Sequence, residues 1–130
     1  MEKIRVLLAD DHDAIVSQVR AVLGDEFEVV GAVKNGREAV TEVKRLDPDV
    51  LVIDISMPIL DGLEAASQLR SRRRTKIVFL TVHEDEDFVA AAFSAGASAY
   101  VTKGDLVTDL VPAIRDALEW RIYISNSISC

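Results

Sequence analysis

The chain has one cysteine, Cys130, at its last position, so no internal disulfide can form and a reducing compartment suits it. Basic residues are in short supply. Fifteen Lys and Arg stand against 22 Asp and Glu, and the net charge of -7 opposes any duplex phosphate backbone. No apolar run reaches the roughly 18 to 20 residues of a membrane span. The start, Met1-Glu2-Lys3-Ile4-Arg5, has neither the length nor the cleavage site of a signal peptide. Repeats and low-complexity stretches are missing, as is any Gly-x-Gly-x-x-Gly run after a strand. The cytoplasm is the expected compartment.

What is present is a balanced globular composition, with 49% hydrophobic and 28% charged residues in 130, enough for one domain with a real core. Short β-branched runs alternate with helical-period segments. Strands are expected at Ile4 to Ala9, Phe27 to Val33, Val50 to Ile53, Ile77 to Leu80 and Ala99 to Val101. They lack period-2 alternation, as strands buried on both faces do. Helices are expected between them, stopped by Gly24, Pro48 and Gly96, with a last one from Asp105 to about Arg121. Five strand-then-helix units predict an α/β fold, a five-stranded parallel sheet doubly wound by helices. Past Arg121, Ile122 to Cys130 turns small, polar and β-prone, and reads as a tail or the start of a linker.

Open parallel sheets bind ligands beyond the carboxyl ends of their strands. The polar residues sit there: Asp10 and Asp11 after strand one, Asp54 after strand three, Thr81 at the end of strand four, Lys103 after strand five. Gathered carboxylates repel one another, and a hard cation such as Mg²⁺ relieves the repulsion. Beside such a cation Asp54 is a candidate nucleophile toward phosphorus, with Lys103 neutralising charge and Thr81 donating to a phosphoryl oxygen. Taken singly, Asp10-Asp11 reads as a turn or helix cap and Asp54 as a turn residue. Only the joint placement at one rim favours chemistry.

These residues resemble the receiver domain of two-component response regulators, and T-V-H-E-D-E at 81–86 with E-W-R-I-Y-I-S at 119–125 resembles its NarL/LuxR-type subfamily. The resemblance rests on L-L-A-D-D-H at 7–12, V-I-D-I-S-M-P-I-L-D-G at 52–62, F-L-T at 79–81, A-G-A-S-A-Y at 95–100 and Lys103. It implies a flavodoxin-like fold with residues 1–121 as the receiver and 122–130 leading toward an output domain outside this chain. It implies Asp54 as phosphoacceptor, and Asp10, Asp11, Asp54 and the Ser56 backbone carbonyl as the Mg²⁺ (or Mn²⁺) ligands. Thr81 and Tyr100 become the switch pair, Lys103 the phosphoryl partner. The implied partners are a sensor histidine kinase or phosphotransfer protein, a second copy on phosphorylation, and DNA only through a C-terminal helix-turn-helix. No membrane partner and no enzymatic turnover are implied. Gly104 stands where many receivers carry a cis-proline, so no cis bond is expected. Ser56 and His83 occupy positions whose variation goes with dephosphorylation rate.

Other residues read more plainly. His12 and His83 are expected as surface or loop histidines, Arg72-Arg73-Arg74 as a solvated patch after a helix, and Trp120 as a cover over core or partner. The last helix is expected to bury one face, with some apolar surface left for dimerisation. Two other classes compete with the receiver reading. A haloacid-dehalogenase-type phosphohydrolase places its nucleophile after strand one in an Asp-x-Asp pattern, which Asp10-Asp11-His12-Asp13 fits poorly. A flavin or nucleotide binder of this fold lacks its glycine loop here. A third alternative is an interaction module that is never phosphorylated.

Overall fold

Strand β1 (Ile4–Ala9) is followed by α1 (Asp13–Leu23), β2 (Phe27–Val33), α2 (Gly36–Leu46), β3 (Val50–Ile53) and α3 (Gly62–Leu69). The chain continues through β4 (Lys76–Thr81), α4 (Glu86–Ser94), β5 (Ala99–Thr102), α5 (Leu106–Leu118) and β6 (Tyr123–Ile124). This computed structural model describes residues 2–72, 74–125 and 127–128. The sheet order is β2-β1-β3-β4-β5-β6, and every pairing is parallel.

Successive residues of each strand point to opposite faces, and here both faces are covered. Leu7, Leu51, Ile53, Ile77, Phe79 and Tyr100 pack under α2, α3 and α4. Val6, Leu8, Val52, Val78, Leu80 and Val101 pack under α1 and α5. Phe79 and Leu51 are wholly buried, and removing such side chains from water stabilises the fold by about 1.5 to 3 kcal/mol each. The unbroken apolar runs that stand out in the sequence are therefore the consequence of a sheet with no wet face.

Local signals set the helix starts. Asn35 Oδ1 accepts from Glu38 N–H at 2.8 Å and Asp61 Oδ1 from Glu64 N–H at 2.8 Å, so each caps the helix it precedes. The α5 stripe buries Leu106, Leu110, Ala113, Ile114 and Ala117, while Val107 stays 74% exposed.

The expected five strands are corrected to six among the described residues. Tyr123–Ile124 pairs with Ala99 and Tyr100 on the outer edge of β5, and Ser125 N–H continues the ladder to the Tyr100 carbonyl at 2.9 Å. Ile128 is 8% exposed. Two residues are too short a strand for any periodic pattern; the neighbouring edge makes it a strand, not its own sequence. Cys130 and Arg73 lie outside the described residues.

Candidate functional site

The strand order reverses between β1 and β3, with β2 on one side and β4 to β6 on the other. Two backbone bonds lock the tips together there. Asp54 N–H donates to Ala9 O at 3.0 Å, and Asp10 N–H to Val33 O at 3.0 Å. The acid after each strand is thus fixed at the switch point where such sheets bind ligands.

Close approach behind Asp54 adds rigidity. A Cβ on Gly62 would overlap the Asp54 carbonyl oxygen, and one on Gly36 the Leu60 carbonyl oxygen. Only glycine lets the first turn of α3 sit against the backbone at the end of β3.

The side chains converge as expected for Asp10, Asp54 and Lys103. Lys103 Nζ lies 3.0 Å from Asp54 Oδ2 and 3.0 Å from Asp10 Oδ2, and all three side chains are less than a tenth exposed. Burial works against charge on Lys103, yet its hydrogen bonds to Asp54 and Asp10 and their charges outweigh that and hold its pKa above the ordinary lysine value. Asp11, at the half-exposed mouth, brings a third carboxylate. Ligand atoms of Asp10, Asp11, His12 and Asp54 all lie within 4.8 Å of one another.

One ammonium cannot balance three carboxylates. Asp54 Oδ1 and the Thr81 hydroxyl are buried with no hydrogen-bond partner among the described residues. Buried polar atoms left unpaired cost about 1 to 3 kcal/mol each, so this rim is held for something added. The donor set is hard oxygen with an excess of negative charge, and it fits a divalent cation such as Mg²⁺.

Tyr100 is fully buried, and its hydroxyl donates to the His83 carbonyl at 2.9 Å. Burial first, then the charges of Asp54 and Asp85, push the phenol up to about 12. The ring therefore already points inward and ties β5 to the loop after β4.

Two histidines make contacts that the sequence does not signal. His12 is exposed, as expected of a loop residue, and its Nδ1 stands 3.0 Å from Asp10 Oδ1 and 3.2 Å from Asp11 Oδ1. His83 is half-buried, stacks on Phe88 with ring centroids 4.1 Å apart, and meets Ser56 Oγ through Nε2 at 2.8 Å. That contact bridges the loops after β3 and β4 over an open groove of about 570 Å³. No sequence signal links Ser56 to a histidine 27 positions away. Trp120 covers the Lys76 ammonium, 2.8 Å from the ring centroid, rather than the core.

The whole arrangement has counterparts. The family model of the response regulator receiver domain matches residues 6–115. The chain belongs to this family. Response regulator GacA of Pseudomonas viridiflava is 39% identical over 129 residues, covering 97% of this chain and 60% of that protein. Transcriptional regulatory protein PdtaR of Mycobacterium tuberculosis is 40% identical over 115 residues, covering 88% of this chain and 56% of its own length. A LuxR-family response regulator from Aurantimonas sp. SI85-9A1 superposes with TM-score 0.90 at 32% identity, covering 98% and 93% of the two chains. The receiver domain of the putative response regulator NarL from Mycobacterium tuberculosis gives TM-score 0.87 at 31% identity, covering 93% and 100%. This receiver domain thus spans about 60% of the length of the curated relatives it matches. Receivers are signalling switches rather than turnover enzymes. Among the described residues no helix is long and apolar enough to cross a membrane.

Proposed function

We propose that Asp54 is the phosphoacceptor and that the receiver takes its phosphoryl group from a phosphohistidine of a sensor histidine kinase or phosphotransfer protein. The observation that carries this is the pairing of a bare Asp54 Oδ1 with a buried Lys103 ammonium on the other oxygen. A carboxylate oxygen of Asp54 attacks phosphorus, the P–O bond forms as the P–N bond breaks, and the imidazole nitrogen keeps the electron pair. Lys103, kept charged by its two carboxylates, shifts onto the phosphoryl oxygens as they arrive. The Thr81 hydroxyl, without a partner among the described residues, donates to one of them.

Asp10, Asp11, Asp54 and the Ser56 backbone carbonyl would hold Mg²⁺, or Mn²⁺, among the oxygens. When bound, the cation neutralises charge on the transferring group and lets three carboxylates share one rim.

The phosphoryl group on Asp54 carries roughly -1.5 to -2 charges, in place of the single carboxylate charge, and three acceptor oxygens. Through Thr81, Tyr100 and Lys103 it biases the face made by α4, β5 and α5. Near-complete switching needs about 5.5 kcal/mol of differential stabilisation, within reach of two or three charge-assisted hydrogen bonds at about 1.5 to 3 kcal/mol each. In this reading residues 1–121 are the receiver, and 122–130 lead toward a C-terminal helix-turn-helix that binds DNA. Phosphorylation also favours a homodimer, and the protein works in the cytoplasm where its kinase presents phosphohistidine.

Incubation with a small acyl phosphate and Mg²⁺, followed by intact-mass measurement, tests the assignment. The wild-type chain gains one phosphoryl mass and Asp54→Asn gains none while keeping its circular dichroism. An equal gain in both proteins removes Asp54 from the role.

A further inference from the structure

The turn that carries Lys103 is held from outside by the chain that follows α5. The Ser125 hydroxyl accepts from Thr102 N–H at 3.1 Å and donates to Asp109 Oδ2 at 3.4 Å. Ser125 is 2% exposed and Asp109 6%, so this is a satisfied buried bridge between β5, β6 and α5. The Thr102 hydroxyl donates to Asp105 Oδ2 at 3.0 Å and lies 3.0 Å from Ser127 Oγ. Hydrogen bonds from Ser127 and then Thr102 hold the Asp105 carboxyl below its ordinary range.

The same segment reaches the switch aromatic. Ser125 N–H donates to the Tyr100 carbonyl at 2.9 Å, and Ile128 joins the apolar cluster that contains Tyr100, Val89 and Ala92. Thr102 precedes the short 3-10 turn whose first residue is Lys103 and whose last is Asp105. Residues outside the matched family segment therefore grip the turn that carries the ammonium, at Thr102 before it and Asp105 at its end.

We propose that Ser125 is a positioning residue for Lys103, acting through Thr102, and that phosphate on Asp54 in turn loosens the strand that Ser125 ends. This rests on Asp54 being the phosphoacceptor. Lys103 Nζ sits between Asp10 and Asp54, and the oxygens of a phosphoryl group on Asp54 would extend beyond the carboxylate that it now contacts. An ammonium that follows them draws its turn toward the rim and away from the β6 edge, where Ser125 and Ser127 hold Thr102. Coupling between two sites is reciprocal, so what positions Lys103 is also what phosphorylation disturbs. A signal generated at the rim thereby arrives at the segment through which the chain leaves the domain.

Residue-resolved amide exchange of the full chain tests this, with intact mass recorded on the same sample. The reference is the Mg²⁺-loaded protein without donor; an acyl phosphate is the donor. The Thr102 and Ser125 amides are expected to exchange at least tenfold faster once Asp54 carries phosphate. Phosphate uptake with unchanged or slower exchange overturns the coupling and leaves the acceptor assignment standing; no uptake at all overturns both. Separately, Ser125→Ala should take up phosphate severalfold more slowly at saturating Mg²⁺, with unaltered Mg²⁺ affinity, and Ser125→Thr should restore the rate. A wild-type rate in Ser125→Ala refutes the positioning role.

Discussion

The two ends of the sheet treat their acids in opposite ways. At the amino ends of β1 and β4, Asp49 Oδ2 accepts from Arg5 N–H at 2.8 Å, and Arg74 reaches Asp49 at 3.2 Å and Asp47 at 2.8 Å. Arg72 adds a contact to Asp47 at 3.1 Å, and Thr75 Oγ1 donates to Pro48 O at 2.7 Å. Cations and donors there match the carboxylates. At the carboxyl ends, Asp10 and Asp54 share one lysine with Asp11 beside them, and Asp54 Oδ1 and Thr81 Oγ1 have no hydrogen-bond partner among the described residues. A fold that pairs its acids with cations at one end and leaves the other short of positive charge has placed its electrostatic cost where a ligand can relieve it.

The comparison can be broken most severely at Gly62, which lets α3 rest against the Asp54 carbonyl. Gly62→Val should cost about 3 kcal/mol or more in urea unfolding and abolish Mg²⁺-dependent stabilisation. A midpoint within error of wild type would show that the rim does not depend on this contact.

Alkaline pH gives the next largest effect. Tyr100 is pushed up to about 12 by burial, Asp54 and Asp85, and Tyr123 to about 12 by burial and its bond to Asp109. Their folded values exceed the unfolded value near 10. Stability is therefore complete below pH 10 and falls as pH rises through 12; Lys103, also raised, contributes with the same sign. For Tyr100 the loss is roughly 2 to 3 kcal/mol. Chemical denaturation across this window should show the fall, and Tyr100→Phe should flatten it.

The smallest effects carry the sharpest contrast, because their signs differ. Asp49→Ala strands the Arg5 amide and should destabilise by about 1 to 2 kcal/mol with or without metal. Asp11→Asn relieves repulsion at the rim and should raise the metal-free melting temperature slightly, by the equivalent of about 0.5 kcal/mol. It should also shrink the rise that millimolar Mg²⁺ produces. Destabilisation by both substitutions in metal-free buffer would erase the distinction between the two ends.

Much of this is legible in the sequence. The strand from Val50 to Ile53 and the acid that follows it, and the polar residues at successive strand ends, all announce themselves locally. His12, His83 and the sixth strand did not. His83 acquires its meaning from Ser56 and Phe88, His12 from Asp10 and Lys103, and Tyr123–Ile124 from the free edge of β5. A residue whose role depends on a partner distant in the chain leaves no periodic trace.

The sequence by itself determined the layered α/β architecture, because apolar periodicity fixes which segments must be buried and on how many faces. It also determined which side chains gather at the carboxyl rim, because in a parallel sheet the residue after every strand faces the same end. Only the tertiary structure decided how that rim is balanced. The 3.0 Å contacts of Lys103, the bare oxygens of Asp54 and Thr81, and the grip of Ser125 on Thr102 depend on distances between elements. Such distances are set by packing across the sheet, which no local pattern encodes.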